Sequence, residues 1–136
     1  MNSKEFNTLK QITETKLTFS EDNFQSKLAE VPLLYSRYLQ IFVNENKNLM
    51  ELKLKKEVKY ADLYRYYKFS ANERWDTKSE IEAQMYSDLG FQSIISDINT
   101  QQEIVTFLEQ TLDNIKTLSF AVRNHIDWQK FINAER

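Results

Sequence analysis

The residues with the clearest chemistry lie between Lys47 and Lys68. Seven cations (Lys47, Lys53, Lys55, Lys56, Lys59, Arg65 and Lys68) stand there against three acids (Glu51, Glu57 and Asp62). In its second half the stretch interleaves charge with rings: Lys59, Tyr60, Tyr64, Arg65, Tyr66, Tyr67, Lys68 and Phe69. Cations neutralise phosphates and flat rings offer stacking faces to unpaired bases, so the pattern suits a single-stranded nucleic acid. The competing reading is structural: a lysine-rich helix usually presents a solvated face, and tyrosines at helical spacing are usually half-buried packing residues. The whole chain carries a net charge of −2, so only a local surplus presented on one side could hold phosphate. Further on, Asp97, Glu103, Glu109 and Asp113 fall in a stretch with no cation, a candidate contact for a basic partner.

Other chemistries find no material. There is no cysteine, which removes disulfides, thiol catalysis and thiolate-bound zinc. The one histidine, His125, is too few for an imidazole metal site within one chain and has no partner suggested for acid–base work. A chain with a single glycine cannot build the glycine-rich phosphate loop of an ATPase. Zinc-finger spacing and a helix-turn-helix glycine turn, the marks of duplex readers, are missing too. The expectation is a binding protein with no enzymatic activity, metal or cofactor.

The elements that must position these residues are helices. Gly90 and Pro32 are the only glycine and proline among 136 residues. Sheet proteins draw on both for turns and bulges, whereas helices need them only at their ends. The predicted class is all-α, with long antiparallel helices in a small bundle. No apolar stretch approaches a bilayer span and no signal peptide is visible at MNSKEFNTLK, so a cytoplasmic address without membrane contact is expected.

Four segments of one helical domain, residues 1–136, follow from the pattern. In residues 1–30, Thr18 with Glu21 reads as a capping box for a short helix through Phe24 and Leu28. Pro32 suits a first helical turn and opens a breaker-free run over 32–69. At about 1.5 Å per residue that run is a rod about 57 Å long. Its seam of Tyr35, Tyr38, Phe42, Glu45, Leu49, Leu52, Lys56, Lys59, Leu63 and Tyr66 is spaced as in a coiled coil. So long a rod calls for cover from partner chains. Residues 70–99 form a connector, with turn character in SANERWD, a capping box at Thr77 and Glu80, and a break at Gly90. Thr100 with Glu103 opens a last helix over 100–134, striped by Ile104, Leu108, Leu112, Ile115, Leu118, Val122 and Ile126. Its tail adds Phe120, Trp128 and Phe131 beside Arg123 and Lys130, better suited to a hydrophobic interface than to a ligand pocket.

Three segments together carry a family likeness: VPLLYSRYLQ at the start of the long helix, YRYYKF at its finish, and LDNIKTLSFAVRNHIDWQKF near the C-terminus. In order and spacing they resemble the UvsY family, the recombination mediators of T4-like bacteriophages, over most of the chain from about residue 31. The resemblance implies a ring-like homo-oligomer of six or seven subunits in the host-cell cytoplasm. Such a protein binds single-stranded DNA, helps displace the phage single-strand-binding protein, and loads a RecA-like recombinase to nucleate the presynaptic filament. The candidate DNA contacts are Lys53, Lys55, Lys56, Lys59, Tyr60, Tyr64, Arg65, Tyr66, Tyr67 and Lys68. Where the family has basic residues upstream of the paired tyrosines, this chain has Ala61 and Leu63. Self-association is expected through Phe120, Val122, Ile126, Trp128 and Phe131. The alternative is a non-catalytic helical adaptor that binds no nucleic acid.

Overall fold

A computed structural model describes residues 1–18, 24–70 and 75–135. Every regular element is helical: α1 (Ser3–Leu17), α2 (Phe24–Arg65), a π-helical turn (Tyr66–Ser70), α3 (Lys78–Tyr86) and α4 (Leu89–Ala134). The chain forms two compact units, one of residues 1–44 and 106–136 and the other of residues 45–105. Helices α2 and α4 contribute to both.

The first unit holds a helix that the sequence reading lacks. Asn2 accepts a hydrogen bond from the Glu5 backbone N–H, and Glu5 reaches back to Asn2, which closes a capping box ahead of α1. Phe6 and Thr13 then turn inward on one face. Thr18 therefore ends a helix as its C-cap, instead of opening one; Glu21 lies outside the described residues. The Thr13 and Tyr38 hydroxyls share a buried hydrogen bond, and Lys27 Nζ donates to the Lys16 carbonyl at 3.0 Å, so α1 and α2 run antiparallel. Phe6 meets Phe107 edge to face at 5.4 Å. Val31, Leu34, Leu108, Leu112, Ile115, Leu118 and Val122 complete this core.

Pro32 sits inside α2 and not at its first turn. Its ring supplies no N–H for the Leu28 carbonyl, a cost that an interior proline normally turns into a break. Here Val31, Leu34 and Tyr38 are buried on either side of it, and that burial holds the helix through the defect.

In the second unit, Glu45 on α2 pairs with Gln101 on α4, and Lys59 with Asp88, so these helices are antiparallel as well. Gln101 Nε2 donates to both the Glu45 carbonyl (2.8 Å) and its carboxylate (2.7 Å). Leu49, Ile81, Met85, Phe91, Ile94, Ile104 and Val105 are buried around this pair. Thr77 and Glu80 cap α3 as the sequence predicts. Helix α4, however, begins at Leu89 and passes straight through Gly90, Thr100 and Glu103. Asp88 Oδ2 accepts from the Phe91 N–H at 2.9 Å and so caps the start. Gly90 lies in that first turn and breaks nothing: a Cβ there would come within 3.2 Å of the Asp88 carboxylate.

Candidate nucleic-acid interface

The rotation of α2 decides where its cations go. Glu45 and Leu49 are buried, and Leu52, Lys56, Lys59 and Leu63 half-buried, so the expected seam faces inward through the second unit as far as Leu63. Tyr66 departs from it and is exposed, because the π-turn starting there shifts the helical phase.

Along the edge of the seam, sharing Lys56 with it, runs a stripe at three- and four-residue steps: Lys53, Lys56, Tyr60, Tyr64 and Lys68. Lys53, Lys56, Glu57 and Tyr60 line an open groove of about 360 Å³, with Ile98 of α4 as its other wall. Tyr60 and Tyr64 stack at 6.1 Å with 21° between the rings. The Lys68 ammonium then lies 5.7 Å from the Tyr64 ring and 5.4 Å from that of Phe69. Among the described residues Lys53, Lys55 and Lys56 form no ion pair. The structure thus brings two unpaired cations, two stacked rings and a third cation into one line.

The other expected contacts are placed differently. Lys59 stands 4.0 Å from Asp88 and Arg65 3.9 Å from Asp62, so each already has a carboxylate neighbour. Lys55 is two positions from Lys53 and so looks out from another face. Tyr60 donates its hydroxyl proton to Glu82 Oε1 on α3 at 2.8 Å. That hydrogen bond first, then desolvation and the negative charge of Glu82, hold the Tyr60 pKa above its ordinary value. Glu82 also faces Lys78 at 3.9 Å. Tyr66 and Tyr67 meet edge to face at 5.1 Å, Tyr66 exposed and Tyr67 half-buried. Sequence reasoning passes over Glu82 and Asp88, since nothing local marks a carboxylate that will meet a helix far along the chain. It also leaves Phe69 outside the contact set, although Phe69 is one of the most exposed rings.

The C-terminal set divides too. Val122 is fully buried in its own unit and Ile126 half-buried, so Phe120, Trp128 and Phe131 are the rings left facing outward. Trp128 and Phe131 stack on each other at 5.7 Å. Among the described residues no group of three or more acids or histidines is placed to hold a metal, and no helix is long and apolar enough to cross a membrane.

The fold has close counterparts among crystal structures of the bacteriophage T4 recombination mediator protein UvsY. One crystal form superimposes with a TM-score of 0.82 at 19% identity over 98% of each chain. A second gives 0.79 at 18% identity, covering 93% of this chain and 97% of that one. A third gives 0.78 at 20% identity over 91% and 98%. No curated protein matches the sequence. A family model described as recombination, repair and ssDNA binding protein UvsY matches residues 12–135. Almost the whole chain is spanned by that match, and the chain belongs to the UvsY family.

Proposed function

We propose that this chain is a recombination mediator acting through binding alone. It holds single-stranded DNA along the α2 stripe, helps displace a single-strand-binding protein, and loads a RecA-like recombinase to nucleate the presynaptic filament in the host cytoplasm. A ring-like homo-oligomer of six or seven subunits, joined through Phe120, Trp128 and Phe131 with Ile126, multiplies one weak stripe into a strong site. Family membership supports the reading. The observation that carries it for this chain is the groove lined by Lys53, Lys56 and Tyr60, whose lysines have no carboxylate partner among the described residues.

The test is a fluorescence-anisotropy titration with single-stranded and duplex oligonucleotides at several salt concentrations. Affinity is expected to favour the single strand and to fall steeply with salt. Equal, salt-insensitive binding to both overturns the proposal. One observation favours the adaptor reading: Met50, Leu54 and Val58 are exposed at four-residue steps along α2, an apolar row fit for a protein partner. An adaptor binds no oligonucleotide even at low salt.

A further inference from the structure

Four tyrosines share the basic stretch, yet their rings are not equally free. Tyr60 is tied by its hydroxyl to Glu82 and has Tyr64 stacked on it. Tyr64 is half-buried and has Tyr60 stacked on one side. Tyr67 is half-buried. Tyr66 is 51% exposed, and Phe69 reaches 75%. Phe69 has no hydroxyl to hydrate, so leaving its ring in water carries a cost with no local return. The ring stands on a π-helical turn, a backbone irregularity frequent at functional sites. Helix α3, fixed at its start by the Thr77–Glu80 capping box, packs against that turn and supports it.

Resting on the DNA-binding reading above, we infer that Phe69, assisted by Tyr66, is the base-stacking ring of the site, a division of labour in which Lys53 and Lys56 hold phosphates. The chemistry around Phe69 selects an unpaired nucleobase over a purely apolar partner. The Lys68 ammonium lies 5.4 Å from its ring, so a base laid on the ring brings its own phosphate within reach of a cation. A flat ligand with an anion attached satisfies both groups at once. In sequence the neighbouring cations are Lys68 and Arg65, the latter 3.9 Å from the Asp62 carboxylate.

The experiment compares a base-bearing oligothymidylate with an abasic oligonucleotide of the same phosphate count, each titrated against the parent protein, Phe69→Ala, Phe69→Trp and Tyr66→Ala. The parent is expected to prefer the base-bearing strand. Phe69→Ala loses about 5- to 150-fold on that strand, the equivalent of one stacked base at about 1–3 kcal/mol. It binds the abasic strand as the parent does, with an unchanged salt slope, and Phe69→Trp restores the preference. Tyr66→Ala gives a smaller loss of the same kind. An exposed ring contributes little to folding, and circular dichroism of each variant checks that the helices persist. A Phe69→Ala protein that keeps full affinity for the base-bearing strand overturns the inference, as does a parent that binds both strands equally; DNA binding itself survives either result. A parent that binds neither strand overturns the underlying reading as well.

Discussion

Apart from Tyr86 on α3, the exposed aromatic rings among the described residues gather near the ends of α2 and α4, and the two places differ in what surrounds the rings. At the end of α2, Tyr66 and Phe69 stand in water beside Lys68, whose ammonium approaches both Tyr64 and Phe69. Near the end of α4, Trp128 and Phe131 stack on each other, with Phe120 exposed about two to three turns earlier along the helix. A ring with an ammonium near its face, as Phe69 has, suits a flat anionic ligand, whereas two rings stacked on each other, as Trp128 and Phe131 are, offer continuous apolar area for another protein surface. Exposure alone would not separate these roles. The roles proposed here rest on the company each ring keeps.

The largest effect is expected from the C-terminal rings. A Trp128→Ala, Phe131→Ala double variant should fall from an oligomer toward a 16.3 kDa chain in light scattering. If assembly multiplies the site, its affinity for a long single strand should drop roughly 100-fold or more with no change in any DNA-contacting residue. An unchanged mass would move self-association elsewhere, the apolar row of Met50, Leu54 and Val58 being the next surface to test.

The basic stripe comes next. Replacing Lys53 and Lys56 by Ala should lower affinity at low salt and flatten the salt dependence by about 0.7 in the log–log slope for each phosphate no longer neutralised. Lys55→Ala, on another face, should do less. Equal effects at all three lysines would mean that the strand responds to net charge and not to the groove.

Much of this architecture is legible in the sequence, and the failures share a cause. The scarcity of glycine and proline predicts the helices, and the three- and four-residue apolar spacing finds the inward faces of α2 and α4, down to Glu45 as a buried member of the seam. Punctuation misleads. Pro32 and Gly90 read as boundaries, yet burial of Val31, Leu34 and Tyr38 around one, and an Asp88 cap just ahead of the other, let helices run through. Thr100 and Glu103 have capping-box spacing but sit mid-helix, because Phe91, Ile94, Gln101 and Ile104 keep the inward phase across them. The missed α1 did carry a signal, Asn2 with Glu5 ahead of Phe6 and Thr13. At the candidate site the residue types were legible, but the pairings of Tyr60 with Glu82 and Lys59 with Asp88 join distant segments and leave no local trace.

A stability prediction separates scaffold from site within the second unit. Gln101→Ala removes both buried hydrogen bonds to Glu45 and should cost about 1–3 kcal/mol in thermal or denaturant unfolding. The salt slope of DNA binding should not move while the protein remains folded. Tyr60 offers a pH counterpart. Its pKa is raised, so the neutral phenol is the form the folded chain favours; the stabilisation is present below the ordinary value of 10.0 and is lost as pH rises through the folded value. Tyr60→Phe should remove that alkaline component, read as a difference in the pH dependence of unfolding above about 10.

The smallest effect is the most discriminating about the cations. Asp88 performs two tasks at once, capping α4 through the Phe91 N–H and standing 4.0 Å from the Lys59 ammonium. Asp88→Asn keeps a side-chain oxygen for the cap, since Asn caps helices as well as Asp, and removes the charge facing Lys59. The ion pair is partly exposed, so stability should change by no more than about 0.5 kcal/mol. A Lys59 released from its carboxylate becomes available to phosphate, and affinity for a single strand at low salt should rise roughly two- to fivefold, with the salt slope steepened by about 0.7. Asp113→Asn, in the other unit, removes the same charge without freeing Lys59. If the two variants raise affinity equally, the gain reflects net charge alone and Lys59 does not join the stripe; if only Asp88→Asn does, the carboxylates beside α2 set how many of its cations the strand can use.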